Sequence, residues 1–302
     1  MKLGYSIIFK LVLMCMFLFY FQNVHSADSD DIKLLIRCDD IGMNHTVNMA
    51  ADSLIKRGIP FSASVMFACP WYQEAVDVLK ENPQISVGIH LTLNAEWKNY
   101  RWGPILGASA VPSLVDSNGY FFPSINQLFG NDPDDEEIEM ELRAQIERAI
   151  HTGLKIDYID HHMGTAVAKP EWREMVESLA NEYELGIATY FNEQGYAALY
   201  SVPVESKTDS LIRLAHKLTP GDVNLLVSHI GLETSEMNAL IDMNDSFPLQ
   251  RMSSHRHAEF RALMSDEFKQ IVADRNIKYI TYRDLIEAAG LKSMQRPEED
   301  EY

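Results

Sequence analysis

Cysteine is scarce in this 302-residue chain: Cys15, Cys38 and Cys69 are all it has. Cys15 falls in an N-terminal apolar segment, and the remaining pair does not make a disulfide framework in a protein of this size. A closed thiolate zinc site is excluded for the same reason. Cys38 and Cys69 each sit near the end of an expected strand and read as small buried hydrophobes, with a bridge between them as the alternative. Positive charge is also in deficit, 26 Lys and Arg against 44 Asp and Glu, for a net charge of −18. Such a chain repels phosphate backbones and anionic lipid, which argues against nucleic acid as a partner. No internal repeat or low-complexity linker divides the sequence. A run of apolar residues longer than eleven is missing too, the longest being Leu11 to Phe21.

That run is too short to span a bilayer comfortably. Lys2 and Lys10 precede it and Val24-His25-Ser26 follows, the layout of a signal peptide over residues 1–26, with an uncleaved N-terminal anchor as the alternative. The expected protein is therefore exported, periplasmic or extracellular, with no stable membrane span after cleavage. Its acids cluster in Asp132 to Glu141 and Glu298 to Glu301, read as solvated surface and as part of a disordered acidic tail over 293–302.

Between leader and tail, apolar strands alternate with amphipathic helices. Strands are expected at Lys33 to Cys38, Phe61 to Phe67, Ile85 to Leu91, Ile156 to Ile159, Gly186 to Thr189, Val223 to Val227 and Ile277 to Ile280. Asn44 to Arg57 reads as a helix with Asn44 as N-cap and Gly58 as its stop. Ile138, Leu142, Ile146 and Ile150 recur every four residues and mark another. Thr92 to Pro133 is a long irregular stretch, and loops of that length are usually functional. The alternation implies parallel strands joined by βα units. One domain over 27–292 follows, an α/β fold best described as an irregular, TIM-barrel-like (β/α) barrel of about seven parallel strands, with an open doubly wound sheet as the alternative.

The reactive residues fall at strand ends. Asp39 and Asp40 follow the first strand, His90 lies near the end of the third, Asp160, His161 and His162 follow the fourth, and His229 follows the strand at Val223. Each cluster alone has a plain structural reading, such as a helix cap or a core imidazole. In a parallel barrel, however, all these ends share the face that carries the active site. Two imidazoles and a carboxylate suit a divalent cation with positions open to water, and such an ion lowers the pKa of bound water and polarises a carbonyl. A second carboxylate can take the water's proton and a further histidine can protonate a leaving amine.

At these residues the chain resembles the YdjC-like carbohydrate deacetylases, cousins of the NodB-type polysaccharide deacetylases. The matching segments are Leu34 to Gly42 (LLIRCDDIG), Gly88 to Leu93 (GIHLTL), Tyr158 to His162 (YIDHH), Ser228 to Gly231 (SHIG) and Arg256 to Glu259 (RHAE). The resemblance implies a deformed (β/α) barrel and hydrolysis of N-acetyl groups on an amino sugar or oligosaccharide. It implies Asp40, His90 and His162 as ligands of Zn²⁺ or Mg²⁺, with His161 the other candidate at the paired histidines. Asp39 matches the catalytic base, and His229 the general acid.

The substrate-binding candidates are Trp97, Trp102 and Arg256. The two indoles lie in the long loop just after His90, where they either stack on sugar rings or pack the loop down. Arg256 and Glu259 either pair with each other or orient Asp39. Two other functions fit the same fold: a glycosidase using Asp39 and Asp160, and a sugar-binding protein without catalysis.

Overall fold

The protein is described from a computed structural model, over residues 31–195, 199–244 and 252–297. The expected leader lies outside the described residues, as do 298–302. Among the described residues no helix is long and apolar enough to cross a membrane.

The chain begins with β1 (Lys33–Ile41), α1 (His45–Arg57), β2 (Ser62–Val65), α2 (Tyr72–Lys80) and β3 (Ser86–Leu91). After a long excursion holding α3 (Ile125–Gly130) come α4 (Asp135–His151), β4 (Ile156–His161), α5 (Pro170–Glu182), β5 (Gly186–Ile187) and β6 (Glu193–Gly195). The last part contains α6 (Lys207–Lys217), β7 (Val223–Ser228), α7 (Ser235–Asn238), α8 (Met252–Met264), α9 (Asp266–Asp274), β8 (Lys278–Ile280) and α10 (Tyr282–Ala289). The strands pair in the order β5-β4-β3-β2-β1-β7-β6, every pair parallel. The eighth lies off this path: β8 pairs with Lys33–Leu35 of β1, and β2 takes over the same strand from Arg37 onward. The result is a curled parallel sheet with flanking helices, the irregular TIM-like barrel that the alternation implies.

Strand alternation sends successive side chains to opposite faces. Leu34, Ile36, Cys38, Ala63, Val65, Val87, Ile89, Leu91 and Ile159 join the large core cluster together with the buried residues of the helices. The opposite faces form the barrel interior. Its lower layer is the separate cluster of Leu35, Tyr158, Ala188, Leu225 and Tyr282. Above it the same faces turn polar, with Arg37, Asp39, Ser64, His90 and Asp160 all buried. The interior is thus packed with side chains from below and holds its charged groups toward the strands' C-terminal ends.

Gly88 marks the join of the two layers. A Cβ there would lie 2.3–2.6 Å from three ring atoms of Tyr158. That ring is confined, its hydroxyl 2.8 Å from Ser64 Oγ and its face 4.2 Å from the Tyr282 ring. Gly88→Ala is therefore expected to destabilise the protein by about 1–3 kcal/mol or more, as overpacked cores do. Denaturant unfolding measures this; a midpoint equal to wild type would show that Tyr158 yields freely.

Several expectations need correction. Ile150 is exposed (41%), while Ile138, Leu142, Ile146 and Ala149 are buried. A four-residue spacing drifts about 40° per step around a 3.6-residue helix, so the stripe leaves the core face by its fourth member. Glu141, within the acidic run read as solvated surface, is fully buried and accepts the backbone N–H groups of Ile105 and Leu106 at 3.0 and 3.2 Å. Burial raises its pKa against those hydrogen bonds. Gln145, one turn on, accepts from Thr92 N at 2.8 Å and donates to Thr92 O at 2.7 Å. The long loop is hence pinned to α4 by buried polar groups. The start of the expected tail is docked: Met294 packs against the core, Gln295 N donates to Tyr190 O at 2.9 Å, and Arg296 pairs with Glu177. Strand β6 went unforeseen because Glu193–Gly195 has no apolar pattern; it is a strand through its pairing with Val223–Leu225.

Candidate active site

The acidic pair departs from strand alternation at the rim. Register with β2 slips between Cys38 and Ile41, and Asp40 takes φ +62°, a left-handed conformation that Asp tolerates better than most residues. This irregularity places Asp39 and Asp40 in one site where a regular strand would send them to opposite faces. Gly42 follows at φ +85°, and a Cβ there would lie 3.1 Å from the Tyr72 backbone. Asn48 of α1 locks the turn by accepting Gly42 N at 2.8 Å.

Ligand atoms of Asp40, His90 and His162 lie within 4.8 Å of one another, and all three residues are buried. Asp40 Oδ1 is 3.3 Å from His90 Nε2 and 3.2 Å from His162 Nδ1, yet it is a buried oxygen without a hydrogen-bond donor. Each imidazole turns its other nitrogen to a second carboxylate. His90 Nδ1 donates to Asp160 Oδ1 at 2.9 Å, and His162 Nε2 to Glu96 Oε2 at 3.0 Å. Such carboxylate–histidine pairs fix the tautomer and ring orientation of metal-binding imidazoles. Burial lowers the pKa of His90, but Asp160 and Asp39 more than reverse this, to about 10. Burial likewise lowers His162, and Glu96 and Asp40 bring it up to about 9. Burial pushes the Asp40 carboxyl up, while Arg256 and the two imidazoles hold it well below the ordinary carboxylate range. The pocket draws positive charge to the point between Asp40, His90 and His162. The donor set and the orphaned oxygen fit a divalent cation.

Asp39 sits beside this point in a fixed pose. Arg37, two residues earlier on the same face of β1, donates to it through Nε (2.8 Å) and Nη2 (2.9 Å). The same guanidinium lies 3.1 Å from Asp160 Oδ2, which also accepts Ser64 Oγ at 2.8 Å. Asp39 and Asp160 therefore share one arginine in the barrel interior. A carboxylate oxygen of each lies within 4.8 Å of one from the other.

His229 follows the end of β7, on the loop that carries Ser228 to Gly231. Its backbone N–H donates to Glu259 Oε2 at 2.8 Å, and its ring stands edge-on to Tyr200 at 5.1 Å. The side chain is half-buried and its Nδ1 has no partner among the described residues. Burial lowers its pKa, which Asp40 and Asp39 partly offset. Arg256 enters from α8 and donates through Nη2 to Asp40 Oδ2 at 2.5 Å. Gly231 makes this approach feasible: a Cβ there would lie 2.7 Å from Met237 Cε and 3.2 Å from Arg256 Cβ.

Residues 33–274 match the YdjC-like protein family. The chain belongs to that family. A carbohydrate deacetylase of Brevibacillus brevis is 27% identical over 267 residues, covering 84% of this chain and all of that protein. One from Thermus thermophilus is 30% identical over 279 residues, covering 84% of this chain and 94% of the relative. Among solved structures, a protein of Enterococcus faecalis described in terms of cellobiose-phosphate cleavage superposes with a TM-score of 0.68 at 24% identity, covering 84% of this chain and 99% of that one. That likeness bears on the fold alone.

Of the residues read from the YdjC-like motifs, the structure brings Asp39, Asp40, His90, His162, His229 and Arg256 to one end of the barrel. His162 rather than His161 faces Asp40. His161 lies on β4, its pKa lowered to about 4, burial being the main cause. Arg256 and Glu259 do not pair as considered; the first goes to Asp40 and the second to His229. Trp97 and Trp102 are 1% and 3% exposed and so present no face to a sugar ring. Trp97 forms a bridge with Asp242 and lies under the Arg256 guanidinium at 6.0 Å. Trp102 donates Nε1 to Asn94 O at 2.7 Å and meets the His162 ring edge-on at 6.2 Å. The loop folds inward because its apolar residues, with Val111, Leu114, Phe121 and Leu128, have a core to join. Cys38 and Cys69 are both free and buried.

Arg37 and Glu96, which hold Asp39 and His162, were missed as parts of the candidate site. Arg37 left a signal, a charge inside an otherwise apolar strand segment. Glu96 left none, because its place depends on the long loop being held by the backbone pairs Lys98 N to Ile241 O (2.8 Å) and Met243 N to Glu96 O (2.9 Å).

Proposed function

We propose that the protein is a metal-dependent hydrolase that removes N-acetyl groups from an amino sugar or oligosaccharide. The observation that carries this reading is the convergence of Asp40 Oδ1, His90 Nε2 and His162 Nδ1 on one buried point, with Asp39 beside it and His229 within electrostatic reach. The names carried by the YdjC-like relatives support the substrate class. A cation held by these three residues would acidify a water and polarise the acetyl carbonyl. Zn²⁺ suits two imidazoles and one carboxylate better than Mg²⁺, which prefers oxygen ligands.

The chain's own residues supply the proton transfers. Arg37 holds both Asp39 oxygens, so the carboxylate presents a fixed face to the attacking water and takes its proton. Arg256 occupies Asp40 Oδ2 and leaves Oδ1 for the cation. Asp160 and Glu96 keep Nε2 of His90 and Nδ1 of His162 turned to the same point. As the C–N bond breaks, His229 gives a proton to the departing nitrogen. Acetate and a free amine leave. The apolar leader supports action outside the cytoplasm, and N-terminal sequencing of secreted protein beginning at Ala27 would test that.

The assay is acetate release from N-acetylated chito-oligosaccharides by purified protein, as isolated, after chelation and after Zn²⁺ is restored. Release that chelation abolishes and metal restores is expected. Full activity in the chelated protein would overturn the metal's role, and no release with metal bound would overturn the substrate class.

A further inference from the structure

A buried ion pair lies behind His229. Lys207 on α6 and Glu259 on α8 have side chains with no exposed surface, and Lys207 Nζ is 3.1 Å from Glu259 Oε1. Contacts of both members lead toward the histidine. Glu259 Oε2 accepts the His229 backbone N–H at 2.8 Å and Ser228 Oγ at 3.1 Å. Lys207 Nζ donates to the backbone carbonyls of Leu199 (2.6 Å) and Tyr200 (3.2 Å). Tyr200 in turn sets its ring edge-on to the His229 imidazole at 5.1 Å.

Burying two opposite charges seldom stabilises a fold more than an apolar pair of the same volume would. Packing of α6 on α8 therefore does not explain the pair. Its geometry does: one carboxylate fixes the main chain at His229 while one ammonium fixes the main chain at Tyr200. The imidazole itself donates no bond to Glu259, and its Nδ1 has no partner among the described residues. We infer that Lys207 and Glu259 are positioning residues for His229, orienting the proton donor through the backbone and the neighbouring ring instead of through its own nitrogen. The inference rests on the deacetylase reading of His229.

The test compares two substrates. An N-acetylated chito-oligosaccharide needs a proton on its leaving amine, whereas p-nitrophenyl acetate releases a phenolate that needs none. In Glu259→Gln, turnover of the amide should fall at least tenfold, with p-nitrophenyl acetate turnover within about twofold of wild type, the pattern of a weakened general acid. His229→Ala supplies the reference for that pattern. Because a single change can strand a buried charge, the paired variant Lys207→Met with Glu259→Leu serves as the second test; it keeps an apolar packing but lacks the anchor. Equal losses on both substrates, or none, in a folded variant would overturn the inference. If wild type cleaves neither substrate, the deacetylase reading fails and NMR of histidine-labelled protein decides the positioning role. One sharp set of His229 ring signals in wild type, broadened or multiplied in Glu259→Gln, would uphold it; identical signals would refute it.

Discussion

Asp39→Asn is expected to leave a folded, metal-binding protein whose turnover falls by about 10²- to 10⁴-fold, the usual contribution of a general base. The amide keeps the shape of the carboxylate and an oxygen for Arg37 Nε, but it cannot accept a proton at neutral pH. Folding should survive, because Arg37 keeps Asp160 Oδ2 at 3.1 Å. Metal should remain, because Asp39 is outside the Asp40, His90 and His162 set. The measurements are acetate release, metal content after dialysis, and thermal unfolding. Turnover within a few fold of wild type would remove Asp39 from the mechanism.

Asp40→Asn, one residue on, should behave differently. The isostere tolerates the left-handed backbone at φ +62°, so the turn itself is not at risk. The cost is electrostatic. Arg256 is 2% exposed and, among the described residues, has Nε and Nη1 without partners and pairs with Asp40. Leaving a buried charge uncompensated costs about 3–5 kcal/mol. A cation held between Asp40, His90 and His162 would also lose its carboxylate, so its affinity should fall by more than the ~10- to 100-fold that removal of an outer hydrogen-bond partner costs. Metal content and unfolding midpoint should both drop along with activity. A variant that is inactive yet stable and fully loaded would show that Asp40 is not a ligand.

Much of the fold was legible because it rests on local patterns. Asn44 caps α1 by accepting Val47 N at 3.0 Å, and Gly58 ends the helix at φ +75°, both as their positions in the sequence imply. Seven of the eight strands among the described residues were visible as apolar runs, since strands of a parallel sheet are buried on both faces. The rim rule then placed the reactive residues at one end without any distance being known.

What sequence could not reach was direction and depth. Trp97 and Trp102 have the composition of a sugar-stacking platform, and whether an indole faces solvent or core depends on how the whole excursion from Thr92 to Pro133 folds back. Glu141 looks like one more surface acid until Ile105 and Leu106, 36 and 35 residues away, bring their amides to it. The choice between His161 and His162 is similar: adjacent residues at a strand end point to different sides, and the register of β4 decides which meets Asp40.

The βα alternation, the barrel end at which the reactive residues gather, and the residue types available there all follow from the sequence. These depend on spacing along the chain, which periodicity and capping preserve. Which carboxylate serves which histidine is set by contacts between distant segments. Asp160 to His90 spans 70 residues, Glu96 to His162 spans 66, and Arg256 to Asp40 spans 216. Hydrogen bonds at such separations leave no periodic trace. They form because parallel strands and their connecting helices deliver those atoms to within 3 Å, and burial then makes each buried polar group seek a partner.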